Sequence, residues 1–329
     1  MNDVRAASIR LPYDEQREEL MVRAAKLYYD LQRTQAEIAG ELGLTRWQIS
    51  RLLTEARELG IVRIEITPRS SRATEIEVEL QQTFGLKDAV VVPHGENHDQ
   101  QMVMEAVAQA ASRYIVGLKP HVSLMGVSWG RTMSAVARFL PVNWSPGLHV
   151  VLVNGATNIR STSSRAIAVA EEFAQSASGM ATLLPVPAIV GKKSTREVLE
   201  QDPIIERVLR LAEEADVACF SMGGISHESV LVTSGYIEPE HIDRLRAEGA
   251  VGDILGRFVD ASGAIVDPEL DGRTIGLRLD LLKKKSRAIG IVSGREKHEV
   301  TRAALKAGYL SVLITDEASA RAALEDRNG

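Results

Sequence analysis

From residue 88 to its end, the 329-residue chain repeats one alternation. A short apolar run rich in valine is followed by a segment whose apolar residues recur at helical spacing. The runs span 89–93, 122–126, 149–154, 182–190, 217–223, 288–292 and 310–315. The segments between them include 100–116, 132–139, 164–178, 204–215, 298–307 and 317–324. Apolar runs with no polar alternation are strands buried on both faces, and strands joined through helices are parallel. The expectation is a doubly wound, mostly parallel, Rossmann-like α/β sheet. In such a sheet a ligand sits beyond the carboxyl ends of the strands, where short loops enter helix N-termini.

The front of the chain follows another rule. Residues 34–57 read TQAEIAGELGLTRWQISRLLTEAR. Thr34 and Glu37, then Thr45 and Gln48, each have the spacing of a capping box, in which hydroxyl and carboxyl or amide satisfy each other's backbone N–H. Ile38, Ala39 and Leu42 share one helix face, and Ile49, Leu52, Leu53 and Ala56 share another. Gly43 permits a sharp break between the two helices. Upstream, Leu20, Ala24, Leu27, Tyr28 and Leu31 are spaced to give a third helix for the same small core. Downstream, Leu59 and Gly60 end the second helix, and Val62, Ile64 and Ile66 alternate with Arg63 and Glu65 as a half-buried strand does. The pattern is a winged helix-turn-helix. An ordinary helical hairpin fits the two central helices alone, but leaves the flanking helix and strand unexplained.

The free face of the second helix offers Thr45, Arg46, Trp47, Gln48, Ser50 and Arg51. In a major groove, Arg46 or Arg51 suits guanine and Gln48 suits adenine. Ser50, Thr34 and Gln35 suit phosphates, which position a protein without specifying sequence. Trp47 reads equally as a core plug or a DNA contact. Charge does not advertise DNA binding: the chain carries a net −5, and residues 1–66 hold ten Lys/Arg against eleven Asp/Glu. Positive charge is placed locally, and an oligomer presenting several modules compensates for a weak single one.

The division expected is a DNA-binding module over 1–66, a linker and linker helix over 67–87, and an effector and oligomerisation domain over 88–329. The joint at 67–72, TPRSSR, is polar and interrupted by proline. Ile76, Leu80 and Phe84 stripe one face of the linker helix. With 45% hydrophobic and 25% charged residues the chain has sizeable cores. No run is long and apolar enough to span a membrane, and the first twenty residues lack a signal-peptide core. The single cysteine, Cys219, excludes an internal disulfide framework and fits a reducing cytoplasm, with apolar packing as its role. The seven histidines are scattered, so no metal and no cofactor is expected.

The most informative stretch of the second domain is VSLMGVSWGRTM, residues 122–133. A strand runs into a Gly/Ser loop and then a helix. Gly126 and Gly130 allow close backbone approach, Ser128 and Thr132 add hydroxyls, and Arg131 adds a cation. With the free N–H groups of a new helix, this is a cradle for an anion such as phosphate. Neither GxxxxGK[ST] nor GxGxxG is present, so neither a nucleoside triphosphate nor a dinucleotide is implied. Gly126 to Gly130 also spells G-x-S-x-G, the nucleophile elbow of α/β-hydrolases. Ser128, then Asp253 or Asp260, then His298 stand in the required order. An HGGG-type oxyanion segment is missing, and that fold leaves the front module idle.

The front module followed by GVSWGRTM resembles the SorC family of sugar-binding transcriptional regulators. Further matching stretches are GDILGRFVD at 252–260 with Gly263, RTIG at 273–276, AIGIVSG at 288–294 with Lys297, and LITDE at 313–317. The resemblance covers nearly the whole chain in order. It implies an effector domain related to sugar-phosphate isomerase folds but used for binding, a homo-oligomer from dimer to tetramer, and a phosphorylated sugar or sugar-like effector. Carried over by residue, it implies that Gly126, Val127, Ser128, Trp129, Gly130, Arg131 and Thr132 hold the effector phosphate with Lys297, and that Asp253 accepts from sugar hydroxyls. Asn154, Gly155 and Arg165 follow the third strand and fit the same crevice. Gly155-Ala156-Thr157 replaces the longer glycine-rich run usual in the family, and Gly191-Lys192-Lys193 is a second departure. The charge run at 283–287 is expected to be a solvated helix end.

The expectation is therefore a cytoplasmic, non-enzymatic repressor of a carbohydrate-utilisation operon, binding double-stranded operator DNA under control of a sugar phosphate. A sugar-phosphate isomerase or aldolase, and a serine hydrolase acting through Ser128, are the alternatives.

Overall fold

The computed structural model describes residues 15–63, 73–93, 99–156 and 165–325. The chain divides into two compact units, Met1–Arg69 and Ser70–Gly329.

In the first unit, α1 (Glu15–Ala25) runs on into a π-helical turn, Lys26–Asp30, and is followed by α2 (Gln35–Leu42) and α3 (Arg46–Glu58). Both capping boxes form: Thr34 accepts from the Glu37 N–H and Thr45 from the Gln48 N–H, each with the reciprocal bond. Gly43 closes α2 at φ 66°, a left-handed geometry that disfavours any Cβ. Ile38, Ala39, Ile49, Leu52, Leu53 and Ala56 are buried as their spacing predicts, together with Ala24 and Leu27. Tyr28 and Leu31 are not: both are exposed, and Met21 and Ala25 fill the core instead. The π turn is the reason. It widens the helix after Ala25, so the 3.6-residue phase that places Tyr28 and Leu31 inward no longer holds. Arg17 ties α1 to α3 by a bidentate pair with Glu55, at 2.6–3.0 Å. That guanidinium, with Arg51, holds the Glu55 carboxyl below its usual range. Of the expected wing, Ile64 and Ile66 lie outside the described residues.

The second unit opens with α4 (Thr74–Phe84), β1 (Asp88–Val92), α5 (Gln100–Val116), β2 (Leu124–Val127), α6 (Arg131–Phe139) and β3 (His149–Leu152). Then come α7 (Arg165–Ser176), β4 (Met180–Thr182), α8 (Lys193–Glu200), α9 (Pro203–Glu214), β5 (Val217–Phe220) and β6 (Met222–Gly224). Short α10 (Val230–Thr233) and longer α11 (Pro239–Ala247) precede β7 (Gly252–Ile254), β8 (Arg257–Val259), α12 (Pro268–Asp271) and α13 (Leu279–Leu282). The chain finishes with β9 (Arg287–Val292), α14 (His298–Lys306), β10 (Val312–Asp316) and α15 (Glu317–Leu324).

Seven strands form a parallel sheet in the order β1-β10-β9-β5-β2-β3-β4. Successive side chains pack on opposite faces: Val150 and Leu152 enter one core, Val151 and Val153 the other. The order reverses between β2 and β5, which makes their carboxyl ends the switch point. The helix α4 is stitched to the edge strand, with Ala73 N–H donating to Val91 O and the buried Glu77 Oε1 accepting from Val91 N–H at 2.8 Å.

Three expectations change here. The run at 182–190 is not a strand: β4 covers Met180–Thr182, and Pro185 and Pro187 remove the N–H donors a longer ladder needs. The run at 217–223 is two strands, because the chain leaves the large sheet at Ser221 and β6 joins β7 and β8 in a separate antiparallel sheet. The charge run at 283–287 is not wholly solvated. Lys285 is buried, and its Nζ donates to the Ala212 and Glu213 carbonyls at 2.8 and 2.6 Å, capping the carboxyl end of α9. Burial pushes its pKa down.

Candidate functional site

Beyond the carboxyl ends of β2 and β5 lies a crevice of roughly 660 Å³. It collects the polar residues that follow successive strands: Ser128 after β2, Asn154 after β3, Ser221 after β5, Ser293 after β9 and Asp316 at the end of β10. The loop from β2 to α6 forms one wall. Ser128 is buried and its N–H donates to Cys219 O at 3.0 Å, which anchors the loop to β5. The Trp129 indole N–H donates to Gly155 O at 2.8 Å and its ring lies 6.4 Å from that of Tyr236. Gly130 stands at φ 133° with open space where a Cβ would be, so the backbone angle alone calls for glycine. As N-cap of α6 it has no side chain to satisfy the first N–H groups, whereas α2, α3, α5, α9 and α15 are each capped by a hydroxyl or carboxylate. An anion in the crevice would serve that end of α6.

Facing the loop, Lys297 closes the 3₁₀ turn Arg295–Lys297 after β9, and its Nζ donates to Thr132 Oγ1 at 3.4 Å. Burial lowers the lysine's pKa and the nearby Arg131 charge lowers it further; Glu296, Asp253 and Asp316 work the other way. A phosphate would restore the balance. Burial also lowers His298, the next residue on this wall. Asp253 sits in β7 opposite Gly223, where a Cβ would collide with the carboxylate. It accepts from Gly256 N–H at 2.9 Å. Burial pushes its pKa up to about 6 against the pull of that amide and of Lys297. Asn154 Oδ1 and Ser221 Oγ are buried with no hydrogen-bond partner among the described residues. Unsatisfied acceptors of this kind, beside a carboxylate and two cations, suit the hydroxyls of a polyol.

Eight of the twelve residues assigned to this site from sequence line the crevice: Ser128, Trp129, Gly130, Arg131, Thr132, Asn154, Asp253 and Lys297. Gly126 does not. It lies within β2, and a Cβ there would come 2.6 Å from the Val153 side chain, so its role is strand packing. Val127 is fully buried in the apolar core. Gly155 is pressed against the Pro187 carbonyl, with a Cβ–O approach of 2.5 Å, and is likewise a packing glycine. The Arg165 side chain lies outside the described residues. Ser221 and His298 were not assigned to the effector; Ser221 was hidden inside the apolar run 217–223, which reads as one strand until the chain's departure from the large sheet at that residue is seen. The hydrolase alternative has no triad: Ser128 Oγ donates to Trp129 O at 3.4 Å, not to an imidazole. Among the described residues no group of three or more His, Cys, Asp or Glu could hold a metal.

On the first unit, Arg46, Ser50 and Arg51 are exposed, as are Thr34 and Thr45 beyond their caps. Trp47 is 68% exposed, which removes the core-plug role. The Arg51 guanidinium carbon lies 5.7 Å from the Trp47 ring centre, and its Nε donates to Glu55 at 2.9 Å. Gln48 Oε1 accepts from both the N–H and the hydroxyl of Thr45, at 2.8 and 3.0 Å. Reading adenine takes a free amide oxygen as well as the amide N–H, so Gln48 would have to give up its cap to do it.

Residues 69–325 match the family described as "Putative sugar-binding domain". The chain is similar to the deoxyribonucleoside regulator of Bacillus subtilis (strain 168), 30% identical over 313 residues, with 95% of this chain and 99% of the relative covered. It is similar also to the transcriptional regulator LsrR of Enterobacter sp. (strain 638), 31% identical over 311 residues with 93% of each covered. Among solved structures, the full-length sorbitol operon regulator SorC from Klebsiella pneumoniae superposes with a TM-score of 0.70 at 28% identity, covering 93% of this chain and 98% of that one. These relatives are regulators of transcription and not enzymes, and the chain belongs with them to the SorC/DeoR family of sugar-binding transcriptional regulators.

Proposed function

We propose that the protein represses a carbohydrate-utilisation operon and that a phosphorylated sugar or sugar-like effector in the crevice controls its affinity for operator DNA. The observation that carries the phosphate is the uncapped start of α6 beside Thr132, Arg131 and Lys297. The observation that carries the sugar is the unsatisfied Asn154 and Ser221 acceptors beside Asp253. Arg46, Trp47, Ser50 and Arg51 on α3, with Thr34, Gln35 and the caps Thr45 and Gln48, form the DNA-facing surface. The working form is a cytoplasmic homo-oligomer, dimer to tetramer, which presents several modules of modest charge at once. Linkage requires that DNA change effector affinity by the same factor as effector changes DNA affinity.

The test is a mobility-shift assay with DNA from the protein's own promoter region, with and without a panel of phosphorylated pentoses, deoxypentoses and hexitols. The relatives' names, deoxyribonucleoside regulator and sorbitol operon regulator, motivate that panel. A sequence-specific shift altered by one phosphorylated sugar and not by its dephosphorylated form is the expected result. No specific shift under any condition refutes the reading.

A further inference from the structure

A second cleft, of about 600 Å³, lies in the first unit. The π turn after α1, the start of α2 and the start of α3 form it. Its walls include Tyr28, Gln32, Arg33, Gln35 and Arg46, and none of its lining residues is acidic.

Three cations of this unit are held by acids. Arg17 and Arg51 are paired with Glu55, and Arg23 lies 3.8 Å from Glu41. Arg33 and Arg46 make no ion pair among the described residues, and both line the cleft. The acid of that turn, Glu37, is turned back on Thr34, accepting from its N–H and its hydroxyl at 2.8 Å each. Those two bonds, with a smaller pull from the Arg33 charge, hold the Glu37 carboxyl below its usual range, so it stays charged with its oxygens turned to Thr34 and makes no ion pair with Arg33. Because Thr34 and Glu37 close the start of α2 themselves, the two guanidiniums and not the helix end supply the attraction. Tyr28 stands at the rim with its ring set edge-on to Tyr29 at 5.0 Å, and Gln32 and Gln35 add amide donors. Donors without acids, open to solvent, suit an extended anion.

We propose that this cleft is a seat for phosphodiester groups of the DNA backbone, and that Arg46 holds phosphate instead of reading a base. The proposal rests on the DNA-binding reading above and changes the role of one residue in it. Arg46 opens the helix that enters the major groove, but it shares its cleft with α1 and α2, which do not enter the groove in a helix-turn-helix. Tyr28, Gln32 and Arg33 become DNA-facing residues that the spacing of the two central helices does not reveal. Base reading then falls to Trp47 and Arg51 further along α3, with Ser50 staying a phosphate contact.

The experiment uses the full-length protein. Binding of the operator duplex and of an unrelated duplex is measured by fluorescence anisotropy over a salt series, for wild type and for Arg33→Ala, Arg46→Ala and Arg46→Lys. Both positions are exposed, and far-ultraviolet circular dichroism checks that each variant is folded. Each alanine variant is expected to weaken both duplexes by the same factor, roughly 5- to 10-fold per engaged module, and to flatten the slope of log affinity against log salt by about 0.9 for each module that engages the duplex. Arg46→Lys keeps the point charge and is expected to keep the slope and the ranking of operator sequences. An unchanged slope in the alanine variants overturns the proposal. So does a loss confined to one operator base pair, or a changed sequence preference in Arg46→Lys, since those mark a base reader. If the wild type binds no DNA specifically, the regulator reading falls too; if it binds and the variants match it, only this inference falls.

Discussion

The two candidate binding regions solve opposite problems with similar residues. In the crevice, polar groups are buried and several are left unsatisfied: among the described residues Asn154 Oδ1 and Ser221 Oγ have no partner, and the start of α6 has no side-chain cap. On the helix-turn-helix, the helix starts are closed by Thr34–Glu37 and Thr45–Gln48, and the cations that remain free are at the surface. Burial magnifies a few charges, because desolvation makes each unmet group costly until a ligand meets it. Exposure makes each charge weak and salt-dependent, so many must act together. The effector site is therefore expected to be selective and insensitive to salt, and the DNA face the reverse.

The comparison can be broken in order of expected effect. Lys297→Met removes a half-buried cation at the phosphate end. Titration calorimetry is expected to show sugar-phosphate affinity falling on the order of 100-fold, about 3 kcal/mol, the scale of a charged hydrogen bond in a desolvated site. DNA affinity without effector should stay near wild type. An effector affinity within threefold of wild type would place the phosphate elsewhere.

Asp253 supplies a pH signature. Its folded pKa, about 6, stands above its ordinary 3.8. Stability from the protonated form is thus complete below about pH 4 and is lost as pH rises through about 6. Wild type should lose about 2 kcal/mol over that window relative to Asp253→Asn, which cannot ionise. Denaturant midpoints for the two proteins across the pH range check this, and parallel curves would contradict it.

Smaller effects test the other side. Thr45→Ala removes the α3 cap and frees Gln48; the first unit should lose about 1 kcal/mol in hydrogen-exchange protection. Unchanged protection would mean that the box contributes nothing. Trp47→Ala should change stability by less than about 0.5 kcal/mol, because the ring is exposed, yet weaken operator binding. A large loss of stability would return Trp47 to a core role.

Much of the fold was legible because both periods are local. Six of the seven apolar runs cover most or all of a strand of the large sheet, with 217–223 dividing between two sheets, while 182–190 meets β4 only at Thr182. The helix over 100–116 and the linker helix over 74–84 were legible to the residue. The failures share a cause: a non-local or non-ideal backbone. The π turn after Ala25 shifts the helix phase, so Tyr28 and Leu31 point outward against their spacing. Pro185 and Pro187 end a strand that hydrophobicity alone would extend. Gly126 and Gly155 carried the marks of ligand approach, but what they admit is Val153 and Pro187, neighbours brought there by the sheet.

The sequence by itself determined the two capped helices, the strand–helix alternation and the loop from Ser128 to Thr132, since each depends on hydrogen bonds and periods within a few residues. Only the tertiary structure decided which distant residues share a site. It set Lys297 against Thr132 across 165 positions of chain, placed Asp253 opposite Gly223, and left Asn154 and Ser221 unpaired at neighbouring strand ends. It also gathered Arg33 and Arg46 into one cleft. The physical reason is the same throughout. Burial, and the charge felt across a crevice, are properties of what packs beside a residue, and neighbours in space are chosen by the strand order of the sheet and the packing of the helices, not by position along the chain.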